Sequence, residues 1–106
     1  MPEETSEDLS EALGKLVEEF PEAIRQMPGL EFTSHQFILH VARIHQRLYV
    51  EALHRYIDKD EPFKILHSLI SRELSKPQYK LERLGDVESE DIFRRSGHCA
   101  AWKKRS

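Results

Sequence analysis

The chain of 106 residues holds a single cysteine, Cys99, and only four glycines, no two of them close together. One cysteine excludes an intrachain disulfide and fits a reducing compartment, so the expected location is the cytoplasm. Isolated glycines cannot build the glycine-rich loop that cradles a nucleotide's phosphates. No apolar run approaches the roughly 18 residues of a membrane span, and no membrane partner is expected. The opening MPEETSEDLSEAL is acidic and polar, the reverse of a secretory leader's basic and then apolar order. A chain of this length forms one domain with a real core, and residues 8–106 are assigned to it, with 1–7 expected to be disordered.

Charge is unevenly distributed. Met1 to Thr33 carries nine acids against Lys15 and Arg25, a balance of −7, whereas Ser34 to Ser106 carries fourteen bases against ten acids, a balance of +4. An acidic front joined to a basic body leaves an anionic partner open, although solvated surface explains the same numbers.

Apolar residues from Leu9 to Met27 recur at steps of three and four and make one helical stripe. Pro21 either kinks this helix or begins a second one, and Pro28-Gly29 ends it. Thr33 and Gln36 have the spacing of a capping box, with Phe32 and Phe37 placed as a hydrophobic staple. A long helix follows to about Ile57, either continuous or broken near His45 to Arg47. Pro62 opens another helix, through Lys76, whose buried face holds Phe63, Leu66, Ile70 and Leu74. Glu73 interrupts that face, so it either reaches water or pairs with an arginine. The opposite face holds Lys64, His67, Ser68, Ser71, Arg72 and Ser75, with no acid. Tyr79 to Leu84 reads as a strand and Gly85-Asp86 as a turn or bulge. Ser89 reads as the cap of a single helical turn ended by Gly97, and Cys99 to Trp102 as a returning strand. The fold class is therefore mainly α, three or four helices followed by a small C-terminal β element.

Helices, then a helix with a small polar and basic face, then a strand–loop–strand ending in Trp102: this order resembles the winged helix-turn-helix superfamily, over Phe32 to Trp102. The resemblance implies that the 62–76 helix enters the major groove of duplex DNA and that the hairpin flanks it as a wing. Lys64, His67, Ser68, Ser71 and Arg72 would then face bases and phosphates, Arg94 and Arg95 would lie on or near the wing, and Lys103, with Lys104 and Arg105, would add phosphate contacts. The hairpin departs from that pattern by carrying Asp86, Glu88, Glu90 and Asp91, as does the acidic loop Asp58-Lys59-Asp60-Glu61.

Catalysis and metal binding have little to support them. His35, His40 and His45 are five apart, about 140° around a helix, which does not gather them. No second cysteine completes a zinc site, and Cys99 reads as a structural residue. No cofactor, small-molecule substrate or enzymatic role is expected. Two functions remain: binding of nucleic acid through the 62–76 helix, or protein interaction. The latter includes homodimerisation, with the acidic N-terminal helix or the 34–57 segment as its surface.

Overall fold

The computed structural model describes residues 11–105, so the stretch expected to be disordered, 1–7, lies outside the described residues. Residues 11–17 are helical (α1). Then come α2 (Phe20–Gln26), β1 (Glu31–Thr33), α3 (Ser34–Ile44), α4 (Gln46–His54), α5 (Pro62–Leu74), a 3-10 turn (Pro77–Tyr79), β2 (Leu81–Glu90) and β3 (Ser96–Lys104). The fold is thus α+β, with helices before a hairpin.

Pro21 resolves the first ambiguity by starting a new helix. It sits in the first turn of α2, where a missing N–H costs no hydrogen bond. Leu16, Phe20, Ala23, Ile24 and Met27 are all buried in the common core. The described part of the N-terminal stripe therefore packs largely within the chain, while Leu9 lies outside the described residues.

Thr33 and Gln36 form the capping box. Thr33 Oγ1 accepts from the Gln36 N–H at 3.1 Å, and Gln36 Oε1 accepts from the Thr33 N–H at 2.9 Å. The rings of Phe32 and Phe37 lie 5.8 Å apart across this cap. The long helix does break, at His45, whose φ of −126° and ψ of 54° leave the helical region. The break re-aims the chain so that Tyr49, Ala52 and Tyr56 also reach the core.

In α5, Leu66, Ile70 and Leu74 are fully buried at steps of four. Glu73 neither stands free in water nor pairs with an arginine. It accepts from the Tyr79 hydroxyl at 2.6 Å and pairs with Lys76 at 2.9 Å, which compensates the burial of its carboxylate. Burial and this carboxylate together push the Tyr79 phenol pKa far up.

The sheet is antiparallel, in the order β1-β3-β2. Its first strand lies 63 residues before β3 begins in sequence and was not foreseen: the expected C-terminal hairpin gains Phe32 opposite Trp102 as a third-strand pair. A bulge between Arg83 and Gly85 shifts the β2 register, with Gly85 at a φ of 115° that favours glycine. Phe32, Ala100 and Trp102 are buried between the sheet and the helices. Two expectations for the hairpin need correction. Ser89 pairs with Gly97 inside the ladder, so neither caps nor ends a helix. Tyr79 is the buried residue of the 3-10 turn and does not belong to a strand.

Candidate nucleic-acid interface

On α5 the side away from Leu66, Ile70 and Leu74 carries Lys64, Ser68, Arg72 and, at the C-cap, Ser75, all exposed. Steps of four, four and three place them in one stripe along the helix. Neither Lys64 nor Arg72 takes part in any ion pair among the described residues. Their charges are available to an anion.

His67 and Ser71, expected on the same face, are turned toward the protein. His67 Nε2 lies 2.6 Å from the Tyr49 hydroxyl. Burial keeps the imidazole neutral, pushing the His67 pKa down to about 4, and tyrosine is the donor in the tautomer that carries its proton on Nδ1. Nearby His35 acts in the same direction and Asp91 against it. The same desolvation raises the Tyr49 phenol to about 12. Ser71 Oγ lies 2.7 Å from the buried Ser34 Oγ. Trp102 Nε1 donates to that same Ser34 oxygen at 2.9 Å. Indole N–H is a donor only, so Ser34 accepts from Trp102, and either hydroxyl can donate in its bond with Ser71. This chain ties β3, α3 and α5 together.

The hairpin turn does not stand out as a free wing. Asp91 Oδ1 accepts from the backbone N–H of Phe93 at 2.9 Å and of Arg95 at 3.0 Å, and the Arg95 backbone is the first cause of its lowered pKa. Arg94 takes a φ of 66°, which reverses the chain. Phe93 then meets the edge of Phe63 on α5, with centroids 4.9 Å apart at 88°. Between the turn, α5 and the start of α3 lies an open cleft of about 600 Å³. Lys64, His67, Ser68 and Ser71 line one wall, and Asp91, Arg95, His98 and Cys99 line another. The cleft residues His35, His98 and Cys99 had no sequence signal tying them to α5; His35 arrives there on α3, and His98 and Cys99 on β3. Among the described residues no three His, Cys, Asp or Glu side chains converge to hold a metal ion.

The expected basic wing is electrically neutralised. Arg94 lies 3.9 Å from Glu90, Arg95 3.4 Å from Asp91, and Arg83 pairs with Asp86. Lys103 sits at the far end of β3, flanked in register by Glu31 and Glu82. Of the ten side chains expected to contact nucleic acid, Lys64, Ser68 and Arg72 share one exposed stripe. His67 and Ser71 face inward, Arg94 and Arg95 are spent on the turn, and Lys103, Lys104 and Arg105 lie at or just beyond the far end of β3. Among the described residues no helix is long and apolar enough to cross a membrane. Comparison with protein-family models, with curated proteins and with solved structures finds no match for this chain.

Proposed function

We propose that the chain is a winged-helix module that binds nucleic acid without catalysing a reaction, with α5 as the recognition element. The order of elements supports this reading, as does a short first strand paired to the returning strand of the hairpin. The observation that carries it is the acid-free exposed stripe Lys64, Ser68, Arg72 and Ser75 on a helix whose opposite side is anchored in the core. Two cations that make no ion pair among the described residues, and two hydroxyls, are donors suited to phosphate and base edges. The hairpin, its arginines paired to its own acids, serves to brace α5 and not to grip phosphates. A cytoplasmic setting fits the one free cysteine.

Duplex DNA titrated into the protein at low salt is expected to shift the amide signals of residues 64–75. The double variant K64A/R72A is expected to weaken binding at least tenfold and to reduce the slope of log K against log salt by about two, one contact per cation. Absence of any shift at low salt, or a slope unchanged by the double variant, removes α5 as the contact surface.

A second reading, protein interaction through the α3–α4 segment, is favoured by one observation. Val50 on α4 and Ile57 in the turn that follows it are 58% and 63% exposed, unusual for two large aliphatic side chains so close in the chain. If that surface mediates association, the protein sediments as an oligomer and V50D/I57D turns it into a monomer without loss of helicity. A monomer at every concentration tested leaves the DNA reading alone.

A further inference from the structure

The basic residues that α5 does not use gather elsewhere. At the end of the sheet opposite the hairpin turn, a concavity of about 370 Å³ is lined by Arg25, Lys80, Lys104 and Arg105, and among the described residues no acidic side chain lines it. They come from α2, from the residue after the 3-10 turn, and from the end of β3 and beyond. In a chain with a formal net charge of −3, four bases around one hollow are held against their mutual repulsion.

The backbone holds them there. Lys80 adopts a left-handed conformation, with φ 54° and ψ 47°, and its carbonyl accepts from the Arg105 N–H at 3.0 Å. That bond sets the two exposed side chains next to each other. The Lys104 N–H donates to the Leu30 carbonyl at 2.8 Å, and its ammonium donates to the Met27 carbonyl at 2.5 Å, fixing this charge in the wall of the hollow. No ion pair among the described residues involves Lys80 or Arg105. Arg25 is joined to Glu22 outside the lining, so it contributes field more than a free donor.

We infer that this hollow is an anion site for a free, multiply charged phosphate compound, with Lys80 and Arg105 as its direct ligands and Lys104 as a fixed charge behind them. A guanidinium offers paired donors to a phosphate's oxygens, and the lysine supplies a mobile point charge beside it. The inference stands apart from the α5 reading, because none of these residues lies on that helix.

The test is a titration of the full chain with tripolyphosphate at constant ionic strength, read by amide shifts. Saturable shifts centred on Arg25, Lys80, Lys104 and Arg105 are expected. K80A/R105A is expected to weaken half-saturation at least tenfold, while K64A/R72A leaves it unchanged. Both replaced side chains are exposed and the bonds that shape the hollow are made by the backbone, so the fold persists, as the remaining amide signals report. Shifts that sodium chloride reproduces, that centre on Lys64 and Arg72, or that survive in K80A/R105A overturn the site. If duplex DNA fails to bind while tripolyphosphate titrates the hollow, the α5 reading falls and this one stands. If DNA binds and tripolyphosphate leaves the hollow silent, the reverse holds.

Discussion

Trp102→Ala is expected to lower the stability of the protein by about 3–5 kcal/mol, the range for deleting a large buried aromatic side chain. A domain of this size holds roughly 5–15 kcal/mol in total, so this one change removes a large share of it. Trp102 is 2% exposed, lies opposite Phe32 across the β1–β3 pair, and donates its indole N–H to Ser34. Alanine thus removes an aromatic wall of the core and leaves the Ser34 oxygen short of a donor. Trp102→Phe separates the two effects. It keeps most of the apolar volume and loses the hydrogen bond, so a cost of about 1–2 kcal/mol is expected. Urea unfolding of both variants measures this. If phenylalanine proves as costly as alanine, the Trp102–Ser34–Ser71 chain and not the packing holds the sheet on the helices.

Local chemistry explains which parts of this fold the sequence discloses. The capping box at Thr33, the restart at Pro21, the break at His45 and the bulge beside Gly85 each depend on residues within one turn of one another; the first is legible outright, and the other three are legible as one of two alternatives. β1 is not. Its three residues show no period, and its partner strand begins 63 positions later, so only the folded chain defines it. The hairpin turn misleads for a different reason. An acid followed by Ile92 and Phe93 has the look of a capped helix start, and Asp91 does cap two backbone N–H groups. The positive φ at Arg94 then closes a turn in place of a second helical residue.

The candidate site was legible to the same extent. A helical wheel separates the buried side of α5 from the other side, but it cannot see neighbours that arrive from elsewhere. Tyr49 and Ser34, 18 and 37 residues away, claim His67 and Ser71. What remains of the expected surface is narrower, two cations in place of a broad basic face. Pairing within the hairpin narrows it again, because Glu90 and Asp91 lie four residues before the arginines they neutralise. The acids that seemed to spoil a DNA-gripping wing have an internal use: they shape the turn that packs Phe93 on Phe63 and braces α5.

The second large effect is expected on acidification. His67 is held neutral in the folded protein, with a pKa near 4 against an ordinary value of 6.5. Between these values the unfolded chain binds a proton that the folded protein refuses. Stability therefore falls as pH drops from about 6.5 to about 4, and is fully present above 6.5. Complete desolvation at that shift corresponds to somewhat more than 3 kcal/mol, and partial access of water to the ring reduces the expectation to about 2 kcal/mol. The neighbours give the sign its physical content. Burial dominates, the charge of His35 adds to it, and Asp91, across the cleft, offsets part of it. The Tyr49 hydroxyl can donate only to an unprotonated Nε2, so in the charged form the bond between α4 and α5 runs the other way, with Nε2–H donating to the phenol oxygen. His67→Gln keeps a hydrogen-bonding side chain beside Tyr49 and removes the titration. Urea midpoints measured from pH 4 to 7 should slope for the native chain and flatten for the variant, with His40→Gln, at a site of smaller burial, leaving most of the slope in place. An imidazole that titrates near 6.5 by NMR in the folded protein, or an unchanged slope in His67→Gln, would remove His67 as the source. In that case the orientation of α5 toward any partner would be indifferent to the protonation of His67.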